Sequence, residues 1–388
     1  MTFSILRFRV TDGLILGELP MVSLSWARVI RDGQMNAPKS TRSQTLSSIT
    51  WPVSALEEAG VLDRSRTGWQ SDLSEAFMPT KVGLALCWDG TPIIMGPIAS
   101  PRKTDGTSVQ VAVDGISTLL SSRFVVPEDF SATAKLSFSG LSLGTIAKRA
   151  VQQGLAKPGG GLPITFDDDQ TATDDADHQR TYNAYNIANL SVSHVLELLS
   201  QVTDGPDIDF RPERVDSQHL GWHMYTGTEQ DPYIRQSVTP TFEEGGDGVE
   251  SVSVETSTEY LAFRVYGTGD GTDEGTRVVK VDGAQDALAN HWPLIEVVES
   301  DTDWNTDPLL LAHAKTFISE TPLQQVTMTV RADGPTPLGR FWPGMMCQVT
   351  LHDQADVLPG TYPLRIQSMS GDATNSVKLV FDPTSQLS

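Results

Sequence analysis

Apolar and polar residues alternate along most of the first 125 residues, a pattern that is typical of half-buried β-strands. The alternation in 82–88 is followed by Asp89-Gly90 and then by a second apolar run at 93–98. Asp-Gly readily adopts the positive φ values of tight hairpin turns, so this stretch predicts a β-hairpin. Sustained helical periodicity is almost absent from the segment. We therefore expect residues 1–125 to form a small β-barrel or sandwich.

Two helical patterns appear between residues 126 and 206. The first begins at Ser142, a residue type that caps helix N-termini, and continues through apolar positions to Ala150. The second covers about 191–202, where four apolar residues mark one face. The acidic, Ala/Thr-rich stretch 167–178 between them is typical of an exposed loop. This segment is predicted to be α+β.

Strand patterns dominate again after residue 207. One clear helix interrupts them at Asp307-Pro308, a favourable N-cap and first-turn pair, and four further strands are predicted between 325 and 381. The predicted fold class is mainly β with α+β inserts, comprising two β-barrel-like domains and intervening α+β domains. The predicted segments are 1–125 (N-terminal β-barrel domain), 126–206 (α+β domain), 207–265 (first part of the second β-barrel domain), 266–320 (small α+β insert) and 321–388 (remainder of the second β-barrel domain).

The charge of the chain restricts its partners. Acidic residues outnumber basic ones by 49 to 28, which gives a net charge of −21 over 388 residues. Such a charge repels a phosphate backbone over most of the surface, so specific nucleic-acid binding is not predicted. It would also make the wall of a channel non-adhesive to DNA in transit.

Neither the cysteines nor the N-terminus indicates secretion. Cys87 and Cys347 each lie in an apolar, strand-like run without a second cysteine nearby, so both are predicted to be core thiols. The first ten residues lack the apolar core and the cleavage site of a signal peptide. No apolar run approaches the roughly 20 residues that span a bilayer. We therefore expect synthesis in a cytoplasm and no membrane insertion by this chain.

The sharpest enzymatic motif is Gly140-Leu141-Ser142-Leu143-Gly144, which matches the G-x-S-x-G nucleophile elbow between a predicted strand and a predicted helix. In a serine esterase Ser142 would be the nucleophile and a later histidine the base. The candidate bases are His219, His291 and His352. The flanking segments lack the repeated strand–helix alternation of an α/β-hydrolase, and a helix N-cap at Ser142 explains the motif by ordinary capping. The capping interpretation is favoured.

Other polar clusters give weaker signals. The loop 267–271 is glycine-rich but lacks the Lys-Ser/Thr of a P-loop. His219 and His223 would share one face of a strand, where no third metal ligand is apparent. The acidic run from Asp167 lacks the glycine and the glutamate that an EF-hand loop requires at its sixth and twelfth positions. No catalytic residue, metal or cofactor is therefore predicted.

A third interpretation is a carbohydrate-binding β-sandwich module on a virion or cell surface. It draws on tryptophans that are expected to be exposed, namely Trp51, Trp69 and Trp304.

Several segments, taken in chain order, form one architectural pattern that covers nearly the whole sequence. They are Cys87-Trp88-Asp89-Gly90 through Ile98, the strand Val109 to Val113, Thr181-Tyr182-Asn183-Ala184-Tyr185 before the helix at 192–202, the strand 208–210, Phe263 to Gly269, the helix 309–318, and the strand after Pro343-Gly344. This pattern resembles the tail-hub proteins of long-tailed, siphovirus-type bacteriophages, particularly minor tail proteins of phages that infect actinobacteria. The resemblance lies in architecture more than in invariant chemistry.

The resemblance implies a structural protein and not an enzyme. It implies a homotrimer in which three chains close a ring of six β-barrels at the tail tip. The implied partners are the distal tail protein, the tape-measure protein and other minor tail or receptor-binding proteins, with DNA only in transit through the lumen. The implied location is the virion, with roles in host attachment and DNA ejection. Since the sequence ends at Ser388, directly after the predicted final strands, separate proteins are expected to contact the host.

Overall fold

The structure is a computed structural model that describes residues 2–30, 44–170, 179–202, 205–228, 230–284, 287, 289–300 and 306–387. Within these residues β-strands predominate, with 22 strands against six α-helices. The predicted fold class, mainly β with helical inserts, is confirmed at this level.

The elements have the following bounds. The strands are β1 (Phe3–Arg9), β2 (Ile15–Leu19), β3 (Ser25–Val29), β4 (Gln44–Pro52), β5 (Val82–Trp88), β6 (Thr91–Pro97), β7 (Lys103–Thr104), β8 (Ser108–Asp114), β9 (Lys135–Phe138), β10 (Ile164–Phe166), β11 (Arg180–Asn183), β12 (Ile208–Arg214), β13 (Leu220–Thr226), β14 (Thr241–Glu243), β15 (Val249–Ser257), β16 (Arg264–Thr268), β17 (Val278–Asp282), β18 (Glu296–Ser300), β19 (Leu323–Arg331), β20 (Met346–Leu351), β21 (Gly360–Asp372) and β22 (Ser376–Phe381). The helices are α1 (Val53–Glu58), α2 (Trp69–Ala76), α3 (Ser117–Leu120), α4 (Leu143–Leu155), α5 (Val192–Gln201) and α6 (Asp307–Thr316), with short 3₁₀ helices at Ala184–Asn189 and Asp273–Gly275.

The chain divides into two compact units. The first comprises Met1–Val252, Thr327–Leu351 and Gly360–Phe381. The second comprises Ser253–Val326, His352–Pro359 and Asp382–Ser388.

An antiparallel sheet near the N-terminus of the first unit has the strand order β2-β1-β5-β6. Its β5–β6 hairpin confirms the prediction from Asp89-Gly90, whose φ angles are 48° and 80°. Every residue of β5 is buried, because this strand lies between β1 and β6 and is covered on both faces. Burial on both faces explains why its sequence is almost uniformly apolar.

The large sheet of the chain follows the order β15-β19-β22-β21-β3-β4-β8-β7, and β20 and β14 extend it from β21. In its middle β21 pairs with β3 in antiparallel register, for example Ser370 with Ala27. The N-terminal and C-terminal parts of the sequence thus complete one sheet. The described strands form no closed barrel.

Two capped helices form the α+β part of the first unit. The side chains of Ser142 and Ser191 accept hydrogen bonds from the amides of Thr145 and His194, and α4 and α5 begin directly after them. Both predicted helices are therefore confirmed. Their apolar faces share one core with Phe8 and Trp222, whose rings meet edge to face at 5.8 Å.

The second unit contains a three-stranded sheet, β17-β16-β18, with α6 packed against β16 and β17. Ala262, Val265, Val281 and Ala314 form its small core. The helix predicted at Asp307-Pro308 is confirmed, but its N-cap is Thr306, so the helix begins one residue earlier than expected. Among the described helices, none is long and apolar enough to cross a membrane.

Candidate functional site

The structure places Ser142 at the start of α4 and not on an exposed elbow. Its side chain is enclosed, with 1% of the residue exposed, and its Oγ accepts a hydrogen bond from the amide of Thr145 at 3.1 Å. Gly140 has φ +66°, which a turn residue without Cβ adopts easily. A Cβ at Gly144 would lie 2.1 Å from the carbonyl oxygen of Gly227, so this glycine permits close packing of α4. Gly140, Ser142 and Gly144, the three positions that define the motif, thus each have a structural explanation.

Of the three histidines proposed as bases, His219 belongs to the same unit as Ser142, and it pairs with Asp216. His219 lies beside Asp216, with its Nδ1 3.0 Å from both carboxylate oxygens. The amide of Gln218, which donates to the Asp216 carboxylate, and the His219 side chain hold the pKa of Asp216 below its usual value. His291 and His352 belong to the second unit. The esterase interpretation therefore gains no support from the geometry.

His223, on β13, has both ring nitrogens engaged. Its Nδ1 lies 2.7 Å from the Thr165 hydroxyl, and its Nε2 lies 3.0 Å from Oδ1 of Asp167. The Thr165 hydroxyl also donates to Glu213 at 2.8 Å. No group of three His, Cys, Asp or Glu residues in the described parts of the chain is arranged to hold a metal ion.

Asp169, in the acidic stretch after β10, is neutralised by two cations of α4. Asp169 forms ion pairs with Lys148 and Arg149 of α4, and Lys148 holds the pKa of Asp169 below its usual value. The ammonium of Lys148 also donates to the carbonyl oxygen of Asp167 at 2.6 Å. Residues 171–178, which include Asp174, Asp175 and Asp177, lie outside the described residues.

Two of the three tryptophans proposed as exposed sugar contacts lie among the described residues. Trp51 is completely buried, so its predicted exposure is wrong. Its ring lies 5.8 Å from that of Phe77, and its Nε1 donates to the carbonyl oxygen of Pro20 at 2.8 Å. Trp69 is partly exposed, with the guanidinium of Arg64 5.3 Å from its ring. Trp304 lies outside the described residues.

Both cysteines are buried free thiols, as predicted. Burial raises the pKa of Cys87 to about 12 and raises that of Cys347 as well. A thiol with so high a pKa is almost entirely protonated at neutral pH and is a poor nucleophile.

A buried charge cluster in the first unit is not indicated by any sequence pattern. Arg28 on β3 and Asp209 on β12 form an ion pair at 2.5 Å, and their side chains are 0% and 2% exposed. Arg211 donates from Nε to the other carboxylate oxygen of Asp209 at 3.1 Å. Burial lowers the pKa of Arg28, and the charge of Asp209 opposes this shift.

The cluster is lined by the rings of Trp342 and Tyr225, the latter 4.7 Å from the guanidinium carbon of Arg211, and by polar contacts to the backbone. The guanidinium carbon of Arg28 lies 4.9 Å from the ring of Trp342, and that of Arg211 lies 5.8 Å from the same ring. Arg28 and Gln44 both donate to the carbonyl oxygen of Phe210, each at 3.1 Å. These contacts join β3 and β4 to β12.

A second buried ion pair joins β21 to the residue that precedes β12. Arg365 pairs with Asp207, and their side chains are 5% and 0% exposed. The ring of Tyr233 lies 4.8 Å from the guanidinium carbon of Arg365. Because arginines neutralise both carboxylates, neither is placed to act as a general base. The two ion pairs join β3 and β21 to the segment that contains β12.

Comparisons with known proteins bear on the fold. The sequence matches no protein-family model and no curated protein sequence. Among solved structures, it is similar to the 43 kDa tail protein of prophage MuSo2 from Shewanella oneidensis, with a TM-score of 0.51, 11% identity, and coverage of 98% of each chain. It also matches a tail protein from Neisseria meningitidis MC58 (TM-score 0.46, 12% identity, 100% of this chain and 98% of that chain). A third match is prophage tail protein gp18 from Listeria monocytogenes EGD-e (TM-score 0.43, 11% identity, 97% and 94%). The similarity to the MuSo2 protein shows that the chain has the fold of a prophage tail protein along nearly its whole length.

Proposed function

We propose that this protein is a structural component of a phage tail or baseplate, and that it is not an enzyme. The observation that carries the proposal is the fold shared with the MuSo2 tail protein over 98% of both chains. The buried, capping position of Ser142 supports it, because the sharpest enzymatic motif in the sequence is accounted for by helix formation.

In its finer form the proposal is a tail-tip hub. Three copies form a ring that connects the distal tail and tape-measure region to the receptor-binding proteins, and DNA passes through the lumen. The net charge of −21 supports a channel wall that does not adhere to DNA. The proposal also includes two β-barrel-like domains, divided along the chain as in the five predicted segments 1–125, 126–206, 207–265, 266–320 and 321–388. It further includes a phage whose host is an actinobacterium.

The test is the solution mass of the purified chain, measured together with negative-stain images at high protein concentration. The expected result is a particle of three times 42.1 kDa that shows three-fold symmetry and a central hole. A 42.1 kDa monomer at every concentration, without rings, would contradict the trimeric hub.

A further inference from the structure

We propose that the folded chain binds one proton at a cluster of side chains around His223, and that this proton fastens the residue after β10 to β13. The cluster, here called the histidine clasp, consists of Thr165, Asp167, Glu213 and His223 and lies within the first unit. Asp167 is the first residue of the acidic stretch, so the clasp makes the attachment of the start of this stretch depend on pH.

The register of three strands brings the clasp together. β13 lies between β10 and β12, so that His223 has Thr165 opposite it on one side and Arg211 on the other. Residues opposite each other, and residues two apart on a strand, project to the same face of a sheet. Glu213 is two residues beyond Arg211, and Asp167 is two beyond Thr165, so both carboxylates lie on the side of the ring.

Three contacts connect the four side chains in a line. The Glu213 carboxylate lies 2.8 Å from the Thr165 hydroxyl, which lies 2.7 Å from Nδ1 of His223, and Nε2 of His223 lies 3.0 Å from Asp167 Oδ1. Each of these distances is that of a hydrogen bond, and each bond needs one hydrogen.

The neutral forms of these groups supply too few hydrogens. The hydroxyl of Thr165 carries one, a neutral imidazole carries one, and ionised carboxylates carry none. Two hydrogens cannot make three hydrogen bonds. The clasp therefore takes its third hydrogen from solvent, as a proton.

The imidazole is the group that holds this proton. A free histidine binds a proton below about pH 6.5, whereas a free glutamate does so only below about pH 4.3. With the proton on His223, Nε2 donates to Asp167, Nδ1 donates to the Thr165 oxygen, and the Thr165 hydroxyl donates to Glu213. All three contacts are then satisfied.

The charged groups on this face of the sheet favour an imidazolium. The carboxylates of Asp167 and Glu213 lie at the two ends of the clasp and attract a positive charge between them. Arg211, opposite His223, opposes that charge, but its Nε donates to the Asp209 carboxylate at 3.1 Å. This ion pair offsets the repulsion between the guanidinium and the ring.

Two further titratable side chains lie near the clasp. The ring centre of Tyr225 is 4.4 Å from that of His223, and burial raises the pKa of Tyr225, so its hydroxyl is neutral at neutral pH. Lys148 of α4 donates to the main-chain carbonyl of Asp167 at 2.6 Å, and its ammonium pairs with Asp169. The imidazolium is therefore the charge that links the two carboxylates of the clasp.

The clasp makes stability depend on pH with a defined sign. In the unfolded chain an imidazole binds its proton below about pH 6.5, without these hydrogen bonds. The folded chain gains the bonds together with the proton, so their contribution is complete below about pH 6.5 and is lost as the clasp gives up its proton at higher pH. Asp167 is then released from β13.

Nuclear magnetic resonance of the full-length chain labelled with ¹⁵N-histidine tests the proton directly. At about pH 7.5 a free imidazole is roughly nine-tenths neutral and has one N–H group. We expect both ring nitrogens of His223 to carry hydrogen at this pH. The signal of His223 is identified by its loss in His223→Gln or, if that variant does not fold, by its shift in Glu213→Gln.

Melting temperatures test the consequence for stability. The difference between the wild type and His223→Gln should be larger at about pH 5.5 than at about pH 8.5, by about 1–3 °C. His194→Gln is the control, because the Nδ1 of His194 lies 3.9 Å from the Glu197 carboxylate, beyond hydrogen-bond distance. Its difference from the wild type should change less with pH.

Glu213→Gln separates the proton from the contacts themselves. The amide of glutamine can donate to Thr165, whose hydroxyl then donates to Nδ1 of a neutral His223, so the clasp closes without an added proton. In this background the effect of His223→Gln should depend on pH much less than in the wild type.

Either of two results would overturn the inference. One is a wild-type His223 ring that carries hydrogen on a single nitrogen at about pH 7.5, as a free imidazole does. The other is a destabilisation by His223→Gln that changes with pH no more than that of His194→Gln. Neither result bears on the proposed tail function, which rests on the fold.

Discussion

Arg28 and Asp209 form an ion pair enclosed by protein although 181 residues separate them in the sequence. The pair joins β3, near the N-terminus, to β12, which follows the α+β part of the first unit. Together with the pair of Arg365 and Asp207 it fixes β12 against two strands of the large sheet.

Removal of one partner of this pair should destabilise the first unit strongly. Asp209→Ala leaves the buried guanidinium of Arg28 without its counter-ion, and such a change typically costs about 3–5 kcal/mol of unfolding free energy. Urea denaturation followed by tryptophan fluorescence measures this quantity.

The matched control is the double variant Arg28→Met/Asp209→Leu, which removes both charges and keeps apolar volume. Its loss of unfolding free energy should be smaller than that of Asp209→Ala, because the fully buried charge of Arg28 is gone and only the partly exposed Arg211 has lost its partner. A cost below about 1 kcal/mol for Asp209→Ala would show that the pair is not important for stability.

Turn and capping residues in the sequence were sufficient to predict the hairpin and the helices that these residues determine. The Asp89-Gly90 hairpin and the helices after Ser142 and Ser191 lie where the turn and capping residues place them. The helices α1 and α2 were missed because they have six and eight residues and lack a side-chain N-cap hydrogen bond.

The remaining features depend on contacts between distant segments. Asp209 lies in a strand, where a carboxylate is expected to face solvent, and its burial follows from the position of Arg28. Trp51 was expected to be exposed, although Gln44, Leu46, Ile49 and Trp51 are the buried positions of β4. The register of β4 shifts between Leu46 and Ile49, so a strict alternation counted from Leu46 would place Trp51 on the exposed face. The pairing of β21 with β3 has no local signal at all.

Replacement of Ser142 by alanine should change stability and leave chemical reactivity unchanged. The hydroxyl caps α4, and loss of an N-cap serine costs about 1 kcal/mol. Neither the wild type nor Ser142→Ala should react with a fluorophosphonate probe, because the Oγ is enclosed.

Ser191→Ala is the matched control, since Ser191 caps α5 through the amide of His194 at 3.3 Å. The two variants should lose similar amounts of unfolding free energy in urea titrations. Probe labelling of the wild type that disappears in Ser142→Ala would establish the esterase interpretation instead.

The turn between β7 and β8 should make stability depend on acidic pH. The carboxylate of Asp105 accepts hydrogen bonds from the amides of Thr107 and Ser108 at 3.0 and 2.7 Å, and also from both hydroxyls. These bonds, that from the Thr107 amide first, lower the pKa of Asp105 from 3.8 to about 2. The contribution is therefore complete above pH 3.8 and is lost as the pH falls through about 2.

Asp105→Asn separates this contribution from the general effect of acid. At pH 7 the melting temperature of the variant should be below that of the wild type, because a neutral amide accepts these bonds more weakly than a carboxylate. The difference should shrink below pH 3.8 and approach zero near pH 2, as the wild-type carboxyl becomes neutral. A difference that stays constant from pH 7 to pH 2 would contradict the assignment of the shift to Asp105.

The close approach of α4 to the chain at Gly227 should make Gly144 intolerant of a side chain. A Cβ at Gly144 would lie 2.1 Å from the carbonyl oxygen of Gly227 and 2.6 Å from the hydroxyl of Thr226. Gly144→Ala therefore requires a shift of α4 or of the segment after β13, and overpacking of this kind costs about 1–3 kcal/mol.

Gly161→Ala is the control, because a Cβ there meets nothing within 4 Å and its φ is outside the left-handed region. In urea titrations Gly144→Ala should lose this amount of unfolding free energy and Gly161→Ala should be close to the wild type. Equal stability of the two variants would show that α4 does not pack as closely as the structure places it.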